Sequence, residues 1–189
     1  MDDFLQRLHA HDWANEPRSE WNSPDDVPPA LVAAWRGEPN AYDRLMAVLA
    51  NNHAGAWYPV LLSAMPFLHD VLANAPSAGV EAVLGLLDDF VYSFDVDPAS
   101  PELDRRRELA FREALVPIRQ TAAAIARVDP SQATLADDLV EGIDARLAGK
   151  RDRQVEPPTS ASIDRTPPVG GRLTPSSNAT RPGCPRCPR

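Results

Sequence analysis

Any chemistry in this chain would have to come from histidines acting with carboxylates. Lys150 is the only lysine, and no Gly-x-x-x-x-Gly-Lys, Gly-x-Ser-x-Gly, His-Glu-x-x-His or Gly-x-Gly-x-x-Gly segment occurs. Phosphate cradles, exposed serine nucleophiles and zinc-hydrolase helices announce themselves by those patterns. Both cysteines, Cys184 and Cys187, fall in the last six residues, which leaves the body without a thiol nucleophile or a disulfide framework. The one hydrolytic arrangement the spacing permits is His53 with Asp95 or Asp97, and a general base must reach its partner directly or through one water. His69 and Asp70 are neighbours within a helix and point about 100° apart, so they are no preset pair, and His69 is expected to face solvent.

Metal and cofactor signals are incomplete in the same way. His9-x-His11-Asp12 offers ligands at a helix end without a third cluster to complete a site. Asp95-Val96-Asp97 resembles the opening of a calcium loop, but the third acid and the glycine are missing and Pro98 stands in their place. Cys184-Pro185-Arg186-Cys187 is a lone pair of thiols where structural zinc takes four ligands, and its proline-rich setting denies it the strand-helix context of a redox motif. The sequence therefore assigns no catalytic residue, no metal site and no cofactor.

The elements that would position these residues are helical. Asp25-Asp26 followed by Pro28-Pro29 marks a helix start, and that helix runs to Trp35 and stops at Gly37. Asn40 is placed to cap a helix from Ala41 to about Asn51. The next runs from about Ala56 to Asn74, with Leu61, Met65, Leu68 and Leu72 on one stripe and Pro66 inside it. Ser77 is expected to cap a helix to about Phe94. Ser100-Pro101 opens another that continues to Val128 unless Pro117 splits it. Leu135, Leu139, Ile143 and Leu147 carry the last, ending at Gly149, and a short helix from Asp3 to His9 precedes them all. His53 then falls at a helix C-terminus, where a histidine can bond free carbonyls.

The expected fold class is all-α, with about six to seven helices joined by short connections that force antiparallel neighbours. Prolines inside two apolar helices, at Ala64-Met65-Pro66-Phe67-Leu68 and Leu115-Val116-Pro117-Ile118, suggest a repeat period of roughly 40 to 50 residues, the range of stacked helical hairpins. The domain plan is a helical body over residues 1–149 and a disordered tail over 150–189, where 8 of 40 residues are proline.

Asn52-His53-Ala54-Gly55-Ala56-Trp57-Tyr58-Pro59, the Met65-Pro66-Phe67-Leu68 segment, Leu86-Leu87 and Tyr92-Ser93-Phe94-Asp95 together resemble the HEAT-repeat-like proteins of bacteria. In that group a His-Gln-Gly-Thr-x-Tyr-x-Ala motif leads into a helix with Val-Pro-Phe-Leu. Asp12-Trp13 and Asp26-Val27-Pro28 resemble its N-terminal features, and the likeness covers about residues 10 to 128. It implies a short α-solenoid of antiparallel helical hairpins that acts by binding, with no catalytic residues to carry over. The chain departs from the pattern at Ala54-Gly55-Ala56, where Gln-Gly-Thr is usual.

Charge indicates the partner. Residues 1–149 hold 11 Arg against 24 acids, net −13, whereas residues 150–189 hold 8 Lys plus Arg against 3 acids, net +5. An acidic body disfavours nucleic acid and anionic membrane and suits a basic protein. Arg105-Arg106-Arg107 does not alter this, because Glu102/Arg106 and Glu108/Arg112 are i, i+4 pairs. Met1-Asp2-Asp3 is acidic where a signal peptide is basic, and no apolar run approaches a membrane span, so the expected compartment is the cytoplasm.

In an antiparallel array the connections alternate between two edges. The links at 37–39, 74–77 and 129–131 fall on one edge and are short and bland. The links at 11–26, 51–56 and 95–100 fall on the other, and they gather Trp13, Glu20, Trp21, Asp25, Asp26, His53, Trp57, Tyr58, Asp95 and Asp97. Aromatic anchors ringed by acids make a surface for a basic partner. The same tryptophans can instead seal the end of the helical stack. The functional expectation is a noncatalytic binding module using this acidic, Trp-bearing edge, in its specific form an immunity protein against a basic toxin. The alternative is a hydrolase built on His53 with Asp95 or Asp97.

Overall fold

A computed structural model describes residues 2–16, 23–96 and 98–149. The proposed tail, with Cys184 and Cys187, lies outside the described residues, as do Glu20, Trp21 and Asp97. Among the described residues there are seven α-helices: α1 Asp2–Ala10, α2 Val27–Arg36, α3 Ala41–Leu49, α4 Val60–Asn74, α5 Ser77–Tyr92, α6 Pro101–Val128 and α7 Ala133–Leu147. Two single 3₁₀ turns, Trp13–Asn15 and Pro24–Asp26, lie between α1 and α2.

Local chemistry sets the helix ends, in part through residues other than those expected. Ser23 and Asp26 form a reciprocal capping box ahead of α2. Gly37 ends α2 at φ 64°, and the amides of Gly37 and Glu38 return to the carbonyls of Ala34 and Ala33. Asn40 contributes a left-handed backbone at φ 62° rather than a side-chain cap. Ser77 is the first residue of α5, with Pro76 at its cap position. Pro66 and Pro117 sit inside α4 and α6 without splitting either helix. Both prolines are exposed, so water can satisfy the carbonyl that each leaves unbonded.

Helix α4 begins at Val60 rather than Ala56, and α3 stops at Leu49, because the intervening chain forms strands. Strand β1 (Ala50–Asn51) pairs antiparallel with β2 (Ala56–Trp57), and β2 pairs parallel with β3 (Asp95–Val96). These strands are an addition to the all-helical expectation.

Helices α2, α4 and α6 neighbour one another in that order, as do α3, α5 and α7. In the second set, Gln132 Nε2 donates to Ser77 Oγ at 3.0 Å at the starts of α7 and α5, while Arg146 reaches the carbonyls at the end of α5. Helices α5 and α7 therefore run parallel. Leu61 and Leu68 of α4, Leu84 and Leu87 of α5, Phe111, Leu115 and Ile118 of α6, and Leu139 and Ile143 of α7 are fully buried in one core. No described helix is long and apolar enough to cross a membrane.

Candidate functional site

The expected edge is best defined where the three strands meet. Gly55, at φ 60°, completes the turn between β1 and β2, and Asn51 Oδ1 accepts from the Ala54 amide at 3.2 Å within it. The Asp95 amide then donates to the Gly55 carbonyl at 3.0 Å, and Ala56 pairs with Asp95 and Trp57 with Val96. The link that follows α3 and the link that follows α5 are thus bonded side by side. Asn52, His53, Ala54 and Asp95 are exposed on them.

The third expected segment joins through α3. Asp25 and Asp26 are exposed, with the Asp26 carboxylate accepting from the Ser23 amide at 3.0 Å. A hollow of about 310 Å³ is lined by Asp26, Arg44, Ala47 and Val48, and another of about 360 Å³ by Asp43, Ala47, Asn51, Asn52, His53 and Tyr58. Ala47 is common to both, so Asp26 and the His53 turn flank one stretch of α3.

The aromatic anchors are a correction. Trp57 is 0% exposed and packs against Phe111 with ring centroids 5.1 Å apart; Tyr58 is 8% exposed. Trp13 is 7% exposed, donates from Nε1 to the Leu8 carbonyl at 2.9 Å, and lies 5.6 Å from the Phe67 ring in the middle of α4. Trp13 thus lies against a helix flank, and all three rings belong to the core, where their apolar area outweighs anything gained at a wet surface. Burial leaves Trp57 Nε1 without a hydrogen-bond partner.

The histidines also differ from expectation. His53 lies in the turn after β1, beyond the end of α3, and makes no side-chain hydrogen bond among the described residues, to Asp95 included. His69 is half-buried, its Nε2 at 2.8 Å from Thr121 Oγ1 on α6. His11 Nε2 is 2.8 Å from Glu16 Oε1, and its ring packs on Trp13. No group of three His, Cys, Asp or Glu side chains among the described residues is arranged to hold a metal ion.

Sequence spacing missed what lies under the edge. Glu108 pairs not with Arg112 but with Arg146 of α7, through contacts of 3.1 and 2.7 Å. Arg146 Nη1 donates to the carbonyls of Phe90, Val91 and Phe94 at 2.6, 3.1 and 3.2 Å, and its guanidinium stands 4.9 Å from the Phe111 ring. A buried cation therefore satisfies the last turn of α5, where the helix dipole is negative, immediately before β3. Arg112, freed from Glu108, donates to the Leu147 carbonyl. Beside this pair a hollow of about 560 Å³ is lined by Asp95, Val96, Asp104, Arg105, Glu108, Leu109 and Arg112, so the edge is mixed in charge beside α6. An arginine in the last turn of α7, three residues on from Ile143 in an otherwise apolar stripe, was the available signal. No protein-family model, curated protein or solved structure matches this chain.

Proposed function

We propose that the body is a noncatalytic protein-binding module, a short HEAT-like α-solenoid whose acidic edge engages a basic partner. The pairing of successive hairpins α2/α3, α4/α5 and α6/α7, with like helices adjacent, supports the solenoid reading. The observation that carries the binding reading is the bond between β2 and β3, which fixes two connections into one surface and leaves Asn52, His53 and Asp95 facing solvent. A preordered surface loses little conformational entropy on association, and its carboxylates steer a cationic partner toward it. The partner that this charge pattern would neutralise is a basic toxin such as a nuclease, with this chain as its immunity protein.

The buried rings shift the expected contacts from aromatic anchors to polar and acidic groups: Asp25, Asp26, Asn52, His53 and Asp95, with Glu20, Trp21 and Asp97 as members by sequence position. Affinity capture with the native chain and with an Asp25→Lys/Asp95→Lys variant, compared by quantitative mass spectrometry, tests the reading. A basic protein enriched on the native chain and depleted on the variant is the expected result. The same proteins in equal amounts on both would refute the edge.

A further inference from the structure

Helix α6 packs on α4, α7 and β3 and buries Phe111, Leu115, Ile118 and Ala122, which leaves its opposite face to solvent. Among the described residues the exposed large apolar side chains are Leu103, Leu109, Val116 and Val128, and all of them belong to α6. Leu109 is 58% exposed although it stands well inside the helix, on a face where a polar residue would be the solvated choice. The charges around it divide into those with a partner and those without. Glu102 holds Arg106, Asp104 accepts from the Ala99 amide at 3.0 Å, Glu108 holds Arg146, Arg112 donates to the Leu147 carbonyl, and Arg119 holds Asp144. Arg107 is engaged as well. Arg105 and Glu113 are exposed and make no ion pair or side-chain hydrogen bond among the described residues, and Arg127 in the last turn is the one other charge of α6 in that condition.

Arg105, Leu109 and Glu113 stand at i, i+4 and i+8 and so form one row along the helix. Rows of that spacing are the ridges that lie along one another in the commonest crossing of two helices, at about −50°. The row reads cation, apolar, anion, and it complements itself only when reversed. A two-fold axis at Leu109 sets that side chain against its own copy. It also brings Arg105, about 6 Å along the helix from Leu109, to the Glu113 of the second copy, which lies as far from its own Leu109. A parallel arrangement would oppose like charges. We infer that this face of α6 docks a second copy of the chain in a symmetric antiparallel dimer, with Leu109 on the axis and an Arg105–Glu113 ion pair on either side. Val116, 45% exposed, then falls against the first turn of the second copy's α6. One helix face is a small interface, so the dimer is weak, with Kd on the order of 10–100 µM. The inference needs no other protein and stands or falls apart from the strand-linked edge.

Sedimentation velocity of the full chain from about 1 µM to about 500 µM brackets that affinity and should show monomer giving way to dimer. Leu109→Asp should stay monomeric throughout, with helical circular dichroism and melting temperature retained because the side chain is exposed. Arg105→Glu or Glu113→Arg alone opposes like charges on both sides of the axis and should weaken association by about tenfold or more. Mixing those two single variants restores both ion pairs across the axis, so they should form a heterodimer at least as tight as the native dimer. Arg127→Glu, remote from the axis, should leave self-association within about twofold. In a Cys184→Ser/Cys187→Ser background, Leu109→Cys should give a disulfide-linked dimer on mild oxidation. Gln120→Cys should not, since its copies stand about 30 Å apart in the antiparallel arrangement. A chain that stays monomeric at the top of the concentration range, native association in Leu109→Asp, no gain on mixing the two reversed variants, or crosslinking of Gln120→Cys as fast as of Leu109→Cys would each overturn the proposal.

Discussion

Arg146 shows how a charged side chain comes to lie in an apolar interior. Its guanidinium is satisfied by two Glu108 oxygens and three carbonyls at the end of α5. Removing one partner of such a pair leaves the other charge desolvated, a loss of about 3–5 kcal/mol. Arg146→Met should therefore lower the unfolding free energy measured in urea by that amount, whereas Glu102→Ala, which breaks an exposed i, i+4 pair with Arg106, should cost less than about 1 kcal/mol. Tyr42 offers a spectroscopic check. Burial first, and then its hydrogen bond to Asp89, push its hydroxyl up to about 12. Because the folded value lies above the ordinary tyrosine value of about 10, this contribution to stability is complete below pH ~10 and fades as pH rises through about 12. Absorbance titration should show a late tyrosine ionisation, and Tyr42→Phe should remove that step.

Two glycines of α5 show how the elements fit together, and they predict opposite outcomes. A Cβ at Gly79 would lie 2.1 Å from the Ala34 carbonyl oxygen of α2, so Gly79→Ala must push two helices apart and should destabilise by about 1–3 kcal/mol. A Cβ at Gly85 would make ordinary contact with the Tyr42 ring, at 3.7 Å, so Gly85→Ala gains helix propensity without a clash and should stabilise by about 0.5–1 kcal/mol in thermal or urea unfolding. The helices themselves were legible because Leu61, Met65, Leu68 and Leu72 repeat at helical spacing and Gly37 marks an end. The strands were not, since two residues carry no period, and their pairing depends on a contact between positions 56 and 95 that no local pattern encodes. Glu108 illustrates the same limit. Its helical neighbour Arg112 is the pair visible in sequence, and the partner in the structure, Arg146, comes from another helix.

Across the whole molecule, the acidity read from composition resolves into a division between helix sets. Helices α5 and α7 expose carboxylates, while α6 concentrates arginine. The sequence correctly grouped the connections at 51–56 and 95–96, because parity of antiparallel helices puts them on one edge. It could not tell that Trp13, Trp57 and Tyr58 turn inward, since a residue's place in a link says nothing about which side its ring takes. The exposed part of the edge is thus polar and acidic, and association there should weaken as salt rises, roughly in step with the charges engaged. The most direct measurement is isothermal titration of the native chain and of Asp25→Lys/Asp95→Lys with the partner that capture identifies, at low and high salt. The account predicts that the variant binds roughly tenfold or more weakly and loses most of the salt dependence, with its melting temperature preserved. The same affinity and the same salt dependence in both proteins would contradict it.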